Sequence, residues 1–128
     1  MAEVALWIAI VDDEPGVLKA LSRLLRVHGC RTQGFGSGRE FLASLPGGLP
    51  VCLIVDFQMP EMNGLELHQH LVSNDIQIPT ILISAHGEAA LHEQSREGHF
   101  VACLRKPVLK EALFSAIDRA IGGVWSAD

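Results

Sequence analysis

The stretch Leu6-Trp7-Ile8-Ala9-Ile10-Val11-Asp12-Asp13-Glu14-Pro15 joins a continuous apolar run to three consecutive carboxylates and a proline. An apolar run without polar alternation is the pattern of a strand buried on both faces, as in a parallel sheet. The acids stand where such a strand leaves the sheet. Pro15 suits the first turn of a helix, where its missing N–H is not needed. Beyond it, Val17, Leu18, Leu21, Leu24 and Leu25 recur at helical spacing, and Gly29 is placed to end that helix. The unit reads as strand, acidic turn, helix.

Outward from this unit the pattern repeats. Cys30 to Gln33, Val51 to Val55, Thr80 to Ser84 and Phe100 to Leu104 are further candidate strands, of which those centred on Leu53 and Leu82 are again continuous. Arg39 to Leu45, Leu65 to Val72 and the polar Glu88 to Glu97 are candidate helices. Leu109, Leu113, Ala116, Ile117, Ala120 and Ile121 form a last helical stripe, stopped by Gly122-Gly123. Gly34 to Gly38 lacks the G-x-G-x-x-G spacing of a phosphate loop and reads as a plain loop, as does Leu45 to Pro50. A β-α order repeated five times predicts a three-layer α/β/α, doubly wound, five-stranded parallel sheet with right-handed crossovers. Such sheets bind ligands at the carboxyl ends of their strands, where strand order reverses.

The chain has 128 residues, 48% hydrophobic and 20% charged, which fits one domain with one core and excludes a disordered segment. We take residues 1–128 as that domain, with the core at about 5–121 and a frayed tail from 123 to 128. Fifteen acidic against ten basic residues give a net charge of −5, which argues against direct nucleic-acid binding or attraction to an anionic membrane. The apolar runs fall far short of the ~20 residues of a membrane span. The segment before Val4 has no basic residue of the kind that opens a secretory signal, so a cytoplasmic chain is expected. Cys30, Cys52 and Cys103 are odd in number and widely spaced, and are expected to be buried or half-buried thiols. His68 and His70, two apart on a candidate helix, face different directions and read as surface histidines.

The strand ends carry the chemistry. Asp12-Asp13-Glu14 follow the first strand, Asp56 the third, Ser84 ends the fourth, and Lys106-Pro107 come after the fifth. Two like charges 4 Å apart repel by about 4 kcal/mol at an effective dielectric of 20, so a cation is expected among these acids. Magnesium suits one or two carboxylates completed by water and a phosphoryl oxygen. Asp56 can then act as a nucleophile toward phosphorus, giving an acyl phosphate. Lys106 offers a point cation to one phosphoryl oxygen and the Ser84 hydroxyl a hydrogen bond to another.

Together these residues resemble the receiver domain of two-component response regulators, the group that includes the chemotaxis receiver protein. The likeness rests on Ile10 to Pro15, on Val55-Asp56-Phe57-Gln58-Met59-Pro60-Glu61-Met62-Asn63-Gly64-Leu65, on Ile83 to Gly87 and on Leu104 to Pro107. It implies a flavodoxin-like sheet of order 2-1-3-4-5. It also implies that Asp56 is the phosphoacceptor, that Asp13 and Asp56 ligate magnesium directly with the backbone carbonyl of Gln58, and that Asp12 does so through water. Ser84 and Lys106 take the switch and phosphate-pairing roles, the Lys106–Pro107 bond is cis, and Gly64 relieves the turn into the third helix. Gln58 and His86 would flank the path of the hydrolytic water. The implied partners are a sensor histidine kinase or phosphotransfer protein and an output partner that the sequence does not identify. The flavour resembles receivers of the nitrogen-fixation type. With few residues after Gly122, the chain reads as a single-domain regulator or a piece cut at a domain boundary.

One position departs from the family pattern. Receivers commonly carry Tyr or Phe three residues before the lysine, whereas Cys103 stands there and the chain has no Tyr. Signalling is therefore expected to run through Ser84 and the segment from Ala85 to Glu97. Two rival readings are an aspartyl-phosphate-forming phosphohydrolase and a receiver-shaped module that is never phosphorylated. Gln58 stands where many such hydrolases keep a second Asp as general acid, and the retained Asp13, Asp56, Ser84 and Lys106 speak against the module.

Overall fold

The computed structural model describes residues 6–85 and 100–122. Strands β1 (Trp7–Val11), β2 (Arg31–Phe35), β3 (Cys52–Asp56), β4 (Thr80–Ser84) and β5 (Ala102–Arg105) form one sheet in the order β2-β1-β3-β4-β5, with every pairing parallel. Helices α1 (Pro15–Val27), α2 (Gly38–Ser44), α3 (Gly64–Ser73) and α4 (Lys110–Ile121) cover it. Every residue of β3 and β4 is buried, which is what their unbroken apolar runs require.

Alternate residues of each strand supply two separate cores. Ile8, Ile10, Ile54, Ile81 and Ile83 pack with Leu21 and Leu25 of α1 and with Leu113, Ala116 and Ile117 of α4. Ala9, Val11, Leu53, Val55 and Leu82 face the other way, toward Phe41 of α2 and Leu67 and Leu71 of α3. The period of two in a strand makes this division, and each buried Leu or Ile contributes about 1.5–3 kcal/mol. The three-layer, doubly wound arrangement follows directly. Among the described residues no helix is long and apolar enough to cross a membrane.

Local signals set the helix ends. Pro15 opens α1. At its far end Gly29, at φ 87°, lets its N–H reach the Arg26 carbonyl while the Cys30 N–H reaches that of Leu25, a Schellman closure with Leu25 and Cys30 both buried. Helix α3 starts in a capping box: Asn63 Oδ1 accepts the Glu66 N–H at 2.8 Å and Glu66 Oε1 accepts the Asn63 N–H at 2.9 Å.

The second strand differs from the sequence expectation. It runs Arg31–Phe35 rather than Cys30 to Gln33, so Gly34 and Phe35 belong to the sheet and not to a loop. Pairing with all five residues of β1, from Trp7 opposite Arg31 to Val11 opposite Phe35, sets its length. Phe35 anchors its end, meeting Phe41 edge-on with ring centroids 5.4 Å apart. Gly34 interrupts nothing, because Leu18 packs over it. His68 is half-buried rather than on the surface, with its ring 4.4 Å from that of Phe100. The candidate helix at 88–97, His86 and the tail at 123–128 lie outside the described residues.

Candidate functional site

Strand order reverses between β1 and β3, and their registers place Val11 beside Val55, so the next residues, Asp12 and Asp56, leave the sheet side by side at the switch point. Asp12 is fully buried; its N–H continues the ladder to the Phe35 carbonyl at 3.0 Å, and its Oδ1 accepts the Glu14 N–H at 2.9 Å. Asp13 is exposed on the rim. Carboxylate oxygens of Asp12, Asp13 and Asp56 all lie within 4.8 Å of one another. Ser84, buried, ends β4, and its carbonyl accepts the Lys106 N–H at 2.7 Å, which carries the lysine across to the same rim. The Lys106–Pro107 peptide bond is cis.

Lys106 Nζ sits among the acids, 3.0 Å from Asp12 Oδ2, 3.2 Å from Glu14 Oε1 and 3.3 Å from Asp56 Oδ1. The cation that the crowded carboxylates demand is thus first of all the protein's own ammonium. One ammonium cannot balance them. Burial, and then the neighbouring Asp12 charge, push the Asp56 carboxyl up to about 6, against the pull of Lys106. Burial works to lower Lys106, yet its close contact with Asp12 and the charges of Asp56 and Asp12 outweigh it and hold the ammonium above its ordinary value.

Asp12 Oδ2 is the test of whether a metal fits. It is buried without a directed hydrogen bond, its described partner being the Lys106 charge alone. An oxygen held by an ion pair alone, within a trio of hard carboxylate donors, is what a small divalent cation such as magnesium satisfies. The residues present fit the ion.

Gly64 stands at the turn into the third helix, and the structure shows what a side chain there would meet. It lies at the start of α3 and needs no left-handed backbone; instead, a Cβ there would stand 2.7 Å from the Asp56 carbonyl oxygen and 2.8 Å from Leu82 Cδ1. The glycine lets α3 press against the end of β3, where its N–H meets the Phe57 carbonyl at 3.0 Å. Gln58 is exposed in this loop, beside Phe57, Met59, Pro60 and Asn63 around a shallow recess of about 500 Å³. Cys103 is half-buried on β5 and packs against the core shared with α2 and α3. Cys30 and Cys52 are buried, and burial raises their thiols to about 11 and about 12, so neither is a nucleophile at neutral pH.

Sequence reasoning counted Glu14 among the acids but gave it no role of its own. Its place directly after the two aspartates, at the turn into α1, was the available signal.

Comparison with known proteins agrees with this geometry. Residues 8–118 match the family model described as the response regulator receiver domain. The chain is 39% identical over 114 residues to the response regulator protein TmoT of Ectopseudomonas mendocina, covering 89% of this chain and 52% of that protein. It is 34% identical over 111 residues to the transcriptional regulatory protein FixJ of Rhizobium meliloti (strain 1021), covering 87% and 54% respectively. The chain spans about half the length of the curated relatives it matches. The crystal structure of FixJ-N superposes with a TM-score of 0.85 at 31% identity, covering 97% of this chain and 98% of that one.

Proposed function

The chain belongs to the response regulator receiver family, and from that premise we propose that it accepts a phosphoryl group on Asp56 and changes conformation in response. The observation that carries this reading is the switch-point pocket. In it a buried Asp56 shares Lys106 with a buried Asp12, in a trio of carboxylates fit for a divalent ion.

At pH 7 a carboxyl titrating near 6 is about nine-tenths ionised, so Asp56 is a competent nucleophile. Its oxygen attacks the phosphorus of a phosphohistidine; the new O–P bond forms as the P–N bond breaks, and the imidazole leaves. Lys106 pairs with one phosphoryl oxygen and the Ser84 hydroxyl donates to another. Magnesium, held by Asp13, Asp56 and the Gln58 backbone carbonyl and by Asp12 through water, would neutralise the charge of the incoming dianion. By the family resemblance, Gln58 and His86 are the residues that would act on the water that later releases phosphate, and Cys103 takes the switch position in place of an aromatic ring.

The donor is a sensor histidine kinase or phosphotransfer protein, and the signal passes to an output partner through the face beyond Ser84. We read residues 1–128 as one cytoplasmic receiver domain that neither enters membranes nor binds nucleic acid directly. It catalyses only its own phosphorylation and dephosphorylation. A substrate-turning phosphohydrolase is disfavoured because the Gln58 amide has no acidic proton to give as a general acid.

Intact-mass spectrometry after incubation with magnesium and acetyl phosphate tests the proposal. Wild type should gain the mass of one base-labile phosphoryl group, and Asp56→Asn or wild type with excess chelator should gain none. Equal labelling of Asp56→Asn would sink the assignment.

A further inference from the structure

We propose that Glu14 is a positioning residue: it draws the Lys106 ammonium to the outer edge of the acidic pocket and so keeps the inner carboxylates available to a divalent cation. The inference rests on the metal-dependent receiver reading given above. Lys106 Nζ has three carboxylate neighbours of two kinds. Asp12 and Asp56 are buried and belong to the trio that would hold the ion, whereas the Glu14 side chain is 63% exposed and stands outside that trio. An ammonium resting between Asp12 and Asp56 occupies the oxygens a metal needs and repels the metal besides. Of the three partners, Glu14 alone stands outside the trio, so it can keep Lys106 without competing for the oxygens that would hold or orient the cation.

The backbone supports the same role. The Glu14 N–H is tied to Asp12 Oδ1 at 2.9 Å, and the Glu14 carbonyl accepts the N–H groups of Val17 and Leu18 at 3.0 and 3.1 Å, opening α1. Its main chain is therefore fixed relative to the pocket while its side chain reaches Lys106 from the solvent side. Lys106 is fixed at its own backbone by Ser84, and its four-carbon stem lets the ammonium move between inner and outer partners.

A double-mutant cycle on magnesium affinity, measured by calorimetry on the full chain, separates this role from a simple attraction of Glu14 for the ion. Glu14→Gln should weaken magnesium binding about three- to fivefold in the wild-type background, the upper range for an exposed pair, and leave it nearly unchanged in Lys106→Met. Equal weakening in both backgrounds would mean that Glu14 acts on the cation directly and would overturn the proposal. A second readout follows the Lys106 side-chain nitrogen by NMR. In magnesium-saturated wild type it should keep an ion-paired resonance, and in Glu14→Gln it should move to the free-lysine position; an unmoved resonance would also overturn the proposal. Absence of any magnesium binding by wild type would instead strike the metal-site reading itself, so the two failures remain distinct.

Discussion

At the amino end of β4, Thr80 is 1% exposed and its hydroxyl donates to the Ile78 carbonyl at 2.8 Å, only two residues away. At the carboxyl ends of β1 and β3, Asp12 and Asp56 are buried to the same degree, yet they depend on one shared ammonium, and Asp12 Oδ2 lacks a directed hydrogen bond. Both ends bury polar atoms, but only one satisfies them internally. A buried hydroxyl with a local acceptor is a joint of the fold; buried like charges with too little countercharge are a place prepared for something from outside.

The strongest way to break this contrast is to force the two layers apart beneath the acids. Gly64→Val places side-chain atoms against the Asp56 carbonyl and Leu82, and should cost about 3 kcal/mol in urea unfolding while also lowering phosphoryl labelling. Asp56→Asn should sharpen the contrast by moving stability the other way. Because the folded-state pKa is raised from 3.8 to about 6, the wild-type carboxyl is fully tolerated below pH 4, and its cost grows as pH rises through 6. In metal-free buffer Asp56→Asn should thus be more stable at pH 7 by on the order of 1–3 kcal/mol, the gain fading toward pH 4. The loss of a Lys106 partner makes the upper figure a ceiling.

At the other end, Thr80→Val removes a satisfied hydrogen bond and should cost about 1 kcal/mol, with no pH dependence and no change in labelling. The smallest effect concerns backbone strain, which both ends carry: Glu61 at φ 72° near the site and Asp75 at φ 60° after α3. Aspartate tolerates that conformation better than glutamate, so Glu61→Gly should gain a few tenths of a kcal/mol more than Asp75→Gly in thermal unfolding.

Where physics acts within one strand, the sequence was a sufficient guide. Val51 to Val55 is apolar throughout because β3 is covered on both sides, and the stripe from Val17 to Leu25 marks the one face of α1 that meets the sheet. The edge strand was harder. Arg31 and Gln33 are exposed and Thr32 is only half-buried, so no hydrophobic pattern marks where β2 stops; its end is set by a partner strand twenty-four residues earlier, Val11 opposite Phe35. The acids and Lys106 could be placed on one rim from the β-α order, but which of them touch could not. That Lys106 divides itself among Asp12, Glu14 and Asp56 depends on side-chain reach across three strands, and that Gly64 is needed for space depends on how closely α3 approaches β3. Neither distance leaves a mark in local spacing.

The complete enclosure of β3 has a mechanical consequence. Its four apolar residues alternate between two close-packed cores, Ile54 wedged on one side and Val55 on the other, so the strand is a stiff post that can neither slide nor tilt without opening voids in both. Asp56 is the head of that post. A bulky group fixed there finds no compliance beneath it, and the displacement it causes must be taken up by the softer rim, the exposed turns that hold Gln58 and Ala85. Chemistry at one atom is thereby directed outward, toward the surface where another molecule can feel it.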